Sequence, residues 1–483
     1  MMRPGGGRAL LRRRASYILC LLGARAGRLW ALPLLIRAIV EGIIILPRSM
    51  APFILDDAVQ MNANHAVADG DPTTLPPLDN ANQTAAAAAD RPEDISIALE
   101  WKLLLPLLLP GHDDPQPHDA RPLAEARRPH DPKACLEQAI DSVARTIKQQ
   151  AGEQAVTMHG LLKAGVEERD FWGSSWVVKK ANSAEPLNEE KACKGYVWVP
   201  VEICSPKMRF QDPKTRARMQ RVLDALTAGH RIAANCTCEV HVHLGRMDGL
   251  PWGLATLQRL GALLWAAEPT LRSIRDPRSR NADNLYTWGF AMHQRSRLAK
   301  ILETSPPTPS RELAAAISDS QIMAAVVQGR SSTASPSLLI DGIVRICGTA
   351  SHLELGQLLS GTEKMYRRLG FNFSAFGQED ERARRNPRTM EFRMMDGSVD
   401  AHLIMGWLAI CGTIAETAVA RGDGRYAAAL DVLLLQRAEG CRRRRREAVG
   451  VQRGREFREL MLALGVAAGH FRGFEGKIRR EHY

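Results

Sequence analysis

The sequence lacks the two glycine-rich loops that most simply betray a bound nucleotide. Neither a phosphate loop ending in Gly-Lys-Ser/Thr nor a Gly-x-Gly-x-x-Gly fingerprint occurs, which removes phosphate-loop and dinucleotide-fold binding as easy options. No internal repeat is present, so solenoids and propellers are excluded. Cysteine is sparse: nine residues, at positions 20, 135, 193, 204, 236, 238, 347, 411 and 441. The number is odd and the spacings mostly wide, which fits reduced thiols in a cytosolic or matrix compartment and not a secreted disulfide framework. The longest apolar stretch, Leu29 to Leu46, is interrupted by Pro33, Arg37 and Glu41. A charge at mid-span costs about 2.5–3.5 kcal/mol, so no stable membrane span is expected there.

What is present suits a globular chain. Of 483 residues, 45% are apolar and 24% charged, enough for one large core with appendages. The net charge of +12 is uneven. Residues 1–50 carry nine arginines against the single acid Glu41, a net +8, leaving +4 for the rest. The overall basicity therefore says little about the partner of the core, although the ends could touch nucleic acid or an acidic membrane. The first fifty residues have the composition of a mitochondrial presequence, an alternative to a cytoplasmic location. A blander reading is an upstream in-frame start, with Met50 opening the more ordinary sequence MAPFILDDAVQ. Residues 51–93, rich in Ala, Asp, Asn, Pro and Thr, read as a flexible lead-in. The expected organisation is a disordered basic extension over 1–93, a catalytic domain over 94–424 and a basic helical tail over 425–483.

Four segments read as strands with one apolar and one polar face. In the first, Ile95, Ile97, Leu99, Trp101 and Leu103 alternate with Ser96, Ala98, Glu100 and Lys102. In GYVWVPVEICSP, Val197, Val199, Val201 and Ile203 share a side and Glu202 faces the other way. In the third, read over 233–245, Val240, Val242 and Leu244 alternate with Glu239, His241 and His243. Around RTMEFRMMDG, Met390, Phe392 and Met394 oppose Thr389, Glu391 and Arg393. Helical spacing marks segments near 134–150, 212–228, 252–274, 311–328, 352–368 and 400–421, while 106–133, with seven prolines, reads as a surface connection.

Each polar face offers a carboxylate or an imidazole. Residues i and i+2 of a strand lie on one face roughly 6.6–6.8 Å apart, so both histidines of the His-Val-His run can face one cavity. A solvated carboxylate or a satisfied core histidine is the commoner explanation for any one of these residues. Four such strands together favour oxygen-rich ligation of Mg²⁺ or Mn²⁺ beside phosphates. Structural zinc held by Cys236, Cys238, His241 and His243 is the competing reading. It needs a bulge, because in an unbroken strand the cysteines face away from the histidines.

GYVWVPVEICSP, the NCTCEVHVHLG segment with its following leucine helix, DPRSRNADNLY and RTMEFRMMDGSVDAHLIMGW, in this order, resemble the fungal amidoligase family over most of residues 95–420. The resemblance implies an α+β, glutamine-synthetase-like carboxylate–amine ligase fold, whose curved antiparallel sheet cups ATP and two divalent ions, Mg²⁺ or Mn²⁺. It implies amide formation between a carboxylate and an amine through an acyl-phosphate. Carried over by position, Glu100, Glu202, His241 and Glu391 would bind metal, and His243 would contact phosphates. Arg393 would stabilise the transferring phosphoryl group, with Glu391 beside it, and Arg280, Asn284 and Asn372 would touch cofactor or substrate.

Three departures bear on activity. Ala98 stands where the family pattern has the first glutamate of Gly-x-Glu-x-Glu, with Ser96 at the glycine; Ala181 replaces an aspartate; and Glu239 occupies a place where a small residue is usual. Glu239 shares the parity of the histidines and is expected to reach the same cavity as a substitute metal ligand. Losing a ligand from a phosphoryl-transfer site can cost orders of magnitude in rate. An inactive member that binds nucleotide or a partner therefore stands beside the active ligase, and a binding protein with basic ends is a third reading. Substrates among small molecules, peptides and proteins are not distinguished by the sequence, nor is the oligomeric state; no specific nucleic acid is expected.

Overall fold

The computed structural model describes residues 90–275, 290–304, 338–362, 368–377, 388–422, 424–443 and 449–481. All belong to one compact unit, Pro76–Tyr483. The expected lead-in up to residue 89, the Leu29–Leu46 stretch, the helix near 311–328 and the site candidates Arg280 and Asn284 lie outside the described residues.

The fold is α+β around one eight-stranded sheet. Its strands are β1 (Ile95–Leu108), β2 (Ala155–Thr157), β3 (Trp176–Lys180), β4 (Tyr196–Cys204), β5 (Met208–Arg209), β6 (Glu239–Arg246), β7 (Phe371–Asn372) and β8 (Met390–Asp396). They lie in the order β2-β3-β4-β1-β6-β8-β7, with β5 paired to the start of β1. The sheet is mixed and not wholly antiparallel as expected, because the edge pair β2–β3 runs parallel. Every other pairing is antiparallel. The strand expected from Ala233 begins only at Glu239; Ala233 makes an isolated bridge to Leu104.

Period-two alternation puts the apolar side chains of the central strands on one face. Ile95, Ile97, Leu99, Trp101 and Leu103 of β1, Val199, Val201 and Ile203 of β4, Val240, Val242 and Leu244 of β6, and Met390 and Phe392 of β8 are all buried in a common core. Each such side chain stabilises the fold by about 1.5–3 kcal/mol. Trp101 also donates its indole N–H to Ser398 O at 2.8 Å, which ties the central strand to the turn after β8.

Eight described helices have ten residues or more: α1 (Pro132–Gln149), α2 (Pro213–Gly229), α3 (Leu254–Leu271), α4 (Leu338–Cys347), α5 (Ala401–Val419), α6 (Arg425–Arg443), α7 (Val449–Ala463) and α8 (Ala468–Glu481). Helix α1 starts at Asp131, whose carboxylate accepts the N–H of Lys133 and Ala134, a standard N-cap. Helix α5 is capped likewise by Asp400 and is apolar around most of its circumference. That composition suits a helix buried on all sides. Among the described residues it is the one helix long and apolar enough to cross a membrane, but 78% of its apolar window is buried inside the fold. Gly406 and Gly412 make this packing feasible: an added Cβ would fall 2.4 Å from His470 O at the first and 2.0 Å from the Phe210 ring at the second.

The basic C-terminal segment is part of the same core. Phe457, Leu460, Phe471, Phe474 and Ile478 are buried. An edge-to-face series runs from Phe392 to Trp407 at 6.3 Å and on to Phe474 at 6.2 Å, linking β8, α5 and α8. Arg453, Arg458, Arg472, Arg479 and Arg480 are exposed on the last two helices, whose opposite faces are apolar, so net basicity disguised a packed element as a tail.

Candidate functional site: a carboxylate–imidazole cluster on the polar face of the sheet

The opposite face of the same strands carries the polar residues, and the register brings them together. Glu100 on β1 lies opposite His241 on β6, and Ala98 opposite His243. His243 lies opposite Glu391 on β8. On the other flank of β1, Glu100 faces Cys204 and Lys102 faces Glu202 of β4. Three neighbouring strands thus deliver Glu100, His241, His243 and Glu391, and a fourth adds Glu202.

A bulge in β8 completes the arrangement. Val240 pairs with Met395 but Val242 pairs with Phe392, so Arg393 and Met394 together oppose His241. The extra residue lets Glu391, Arg393 and Asp396 all reach the polar side, whereas unbroken alternation would turn Asp396 into the core. The adjacent methionines 394 and 395, both buried, are the trace of this bulge in the sequence.

His241 is the hub. Its Nδ1 lies 3.1 Å from both Glu100 Oε2 and Glu391 Oε1, and its Nε2 lies 3.0 Å from Glu239 Oε2. His243 Nε2 is 3.0 Å from Glu100 Oε1, and its Nδ1 is 3.0 Å from Thr389 Oγ1. Asn372 donates to Glu391 Oε2 at 2.9 Å, and Arg393 Nη1 donates a short bond to Glu391 Oε1. Further out, Lys179 pairs with Glu168 at 2.8 Å and with Glu202 at 3.4 Å. The Cys204 thiol donates to Glu202 Oε1 at 3.5 Å.

The charges follow this geometry. Burial alone would raise the Glu100 carboxyl, but the charge of His243 and hydrogen bonds from both imidazoles hold it well below the usual carboxylate range. Burial likewise opposes ionisation of Glu391, and Arg393 foremost, then the two histidines, overcome it. Burial, Arg393 and Lys102 would lower the His241 imidazole, yet its bonds to Glu100 and Glu239 carry it up to about 9. Without a metal, the pairing thus favours the ionised form of the carboxylates and the protonated form of the imidazoles.

The donor set fits a divalent cation. One oxygen of Glu100, one nitrogen of His241 and one oxygen of Glu391 all lie within 4.8 Å of one another. The Nδ1 atom carries at most one hydrogen, so it can make at most one linear hydrogen bond, or a weaker bifurcated one, to the two carboxylate oxygens that approach it at 3.1 Å. A cation among the three atoms would satisfy all of them, and carboxylates with one imidazole suit Mg²⁺ or Mn²⁺. A second group of the same kind joins Glu100 to Glu202 and Cys204. Among the described residues, neither metal-capable group contains Cys236 or Cys238, so the zinc alternative has no support. Cys238 precedes β6 and packs with Leu104, Ala181 and Ala184, where burial pushes its thiol up to about 12.

Of the residues expected in the site, Glu100, Glu202, His241, His243, Asn372, Glu391, Arg393 and Glu239 all come to this face. Two differ from expectation in what they touch. Glu239 does not stand in for the carboxylate missing at Ala98: it lies behind His241, paired in register with Asp396, whereas Ala98 pairs with His243 at the other end. Its carboxylate is 3.9 Å from Lys102, 3.8 Å from Arg275 and 3.8 Å from Arg393. Asn372, expected to touch cofactor or substrate, donates to the Glu391 carboxylate and so helps orient it. Lys179, Cys204, Thr389 and Arg275 were not anticipated as site members. Thr389 and Cys204 share the parity of Glu391 and Glu202, so the signal was present; Arg275, beyond the end of α3, had none.

Residues 137–321 match the model of the family described as "Putative amidoligase enzyme". The matched segment includes Glu202, Glu239, His241 and His243, and the geometry supplies Glu100 and Glu391 from outside it. Neither a curated protein nor a solved structure matches the chain. The likeness to an amidoligase family of ligase-like enzymes covers residues 137–321, less than half of the chain.

Proposed function

We propose that the protein is an ATP-dependent ligase that joins a carboxylate to an amine through an acyl-phosphate. The observation that carries this reading is the meeting of Glu100, His241 and Glu391, from three adjacent strands, with ligand atoms within 4.8 Å of one another beside Arg393. In that reading Glu100, His241 and Glu391 would hold Mg²⁺ or Mn²⁺, which when bound supplies charge neutralisation for a transferring phosphoryl group. Arg393, fixed by Glu391, presents a planar cation toward the same space and would favour a developing negative charge. His243, tethered through Thr389 and partly exposed, would donate to a phosphate oxygen in this reading. Glu239 and Asn372 hold His241 and Glu391 in place and need touch no substrate.

The test is ATP- and Mg²⁺-dependent condensation in pools of carboxylates and amines, read by mass spectrometry with ADP release measured in parallel. Amide product that requires both ATP and the metal is the expected result. Absence of product together with ATP-induced stabilisation would favour the second reading, an inactive relative that binds nucleotide or a partner. Ala98 opposite His243, and Ala181 buried in a small apolar cluster with Leu104 and Cys238, are the observations behind that alternative.

A further inference from the structure

Glu202 reaches the polar face but takes no part in the cluster around His241, and the register of the sheet shows what it meets instead. Lys179 on β3 and Lys102 on β1 both lie directly opposite Glu202 on β4. Residues so paired share a face, with Cβ atoms about 4.5–5.5 Å apart. One row of alternating charge therefore crosses the sheet: Lys179, Glu202, Lys102 and then Glu239, whose carboxylate is 3.9 Å from the Lys102 ammonium. The Lys179 ammonium is 3.4 Å from Glu202 Oε1 and 2.8 Å from Glu168. The Cys204 thiol approaches the same Glu202 oxygen at 3.5 Å.

Ligand atoms of Glu100, Glu202 and Cys204 do lie within 4.8 Å of one another, but their neighbours oppose a metal there. A divalent ion on Glu202 would be pressed against an ammonium that already holds its carboxylate. Burial pushes the Cys204 thiol well above its usual value, and a protonated thiol is no metal ligand. Burial opposes the charge on Lys179 as well, but Cys204, Glu202, Glu100 and Glu168 overcome it and raise the ammonium above its ordinary value. We propose that Lys179, with Lys102 on the other side of Glu202, takes the place of a second divalent ion, so that the protein holds a single ion, at Glu100, His241 and Glu391. Of the two divalent ions that the family resemblance implies, one is thereby replaced by a fixed ammonium. Lys179 acts through Glu202 as a positioning residue and need touch no substrate. This assignment rests on the divalent-ion reading of the first position.

The experiment counts the Mn²⁺ ions bound per chain of the full-length protein, with thermal unfolding as the check that each variant is folded. The natural protein should bind a single ion, and Glu202→Gln should still bind one. Lys179→Met keeps the length of the side chain and removes its charge; it should bind two, because the freed Glu202 carboxylate then meets Glu100 at ligand spacing. Lys179→Arg, which keeps the charge, should stay at one, and adding Glu202→Gln to Lys179→Met should return the count to one. Two ions bound by the natural protein would overturn the proposal and leave the first position standing, a result that depends on no variant. One ion bound by folded Lys179→Met would also overturn it, since the lysine would then replace nothing. No ion bound by the natural protein would remove the first position and the proposal with it.

Discussion

Two glutamates flank His241 on the same face of the same sheet, and their surroundings differ. Glu100 lies at the open end: its side chain is 24% exposed and it meets both imidazoles. Glu239 lies at the closed end, 1% exposed, among Lys102, Arg275 and Arg393. Strand parity chose the face for both. Position along the strand and depth beneath the surface then separated a candidate ligand from an internal counter-ion. A buried carboxylate ringed by three cations has its charge balanced without an added metal, although Glu239 Oε1 itself accepts no hydrogen bond among the described residues, whereas one shared between two imidazoles at a solvent-accessible edge can exchange those contacts for a metal.

The largest expected effect tests the closed end. Glu239→Ala leaves three buried cations short of a partner, and breaking such a network costs on the order of 3–5 kcal/mol. Glu100→Gln, at the open end, should cost less than half as much in the same urea-unfolding measurement. Equal losses would break the comparison, because both glutamates would then be structural.

Next in size is Arg393→Lys. A point charge cannot reproduce the planar fork, and loss of a donor aimed at developing charge lowers turnover by roughly 10²–10³-fold. ATP-induced stabilisation should survive, because the positive charge remains. A variant that keeps turnover, or that loses its fold, would make Arg393 only the structural partner of Glu391.

The smallest effect sharpens the contrast between histidines. His230, away from the polar face, bonds to Thr146 Oγ1 at 2.9 Å and has no carboxylate to hold it charged; burial pushes it down to about 4. The folded state therefore keeps it neutral while the unfolded chain protonates near 6.5. Its contribution is fully present above pH 6.5 and is lost as pH falls from there to about 4, on the order of 1–3 kcal/mol. His293 titrates in the same direction, so the comparison must be with His230→Gln, whose stability should fall less steeply across that window. An unchanged slope would assign the pH dependence elsewhere.

Much of this was legible in the sequence because a strand has a period of two. The alternation of Ile95 to Leu103, and of Glu239 with His241 and His243, is a local property, and it fixed which side chains share a face. The strand order and the bulge opposite His241 are not local: they depend on which strands meet, and only the doubled methionines 394 and 395 hinted at the irregularity. Glu239 was read by parity alone as a substitute for the carboxylate missing at Ala98. Parity carries no information on distance along the strand, and the register sets the two at opposite ends of the cluster. The basic C-terminal helices were misleading for a related reason. Composition averages over both faces of a helix, and the buried faces here carry Phe457, Phe471 and Phe474.

The central claim is that Glu100, His241 and Glu391 hold a divalent ion, and Mn²⁺ titration of the full-length protein tests it most directly, with the free ion followed by its paramagnetic resonance. The account predicts saturable binding by the natural protein. It also predicts that Glu100→Gln and Glu391→Gln each weaken binding by at least about tenfold while remaining folded. No binding by the natural protein, or binding unchanged in both variants, would contradict it.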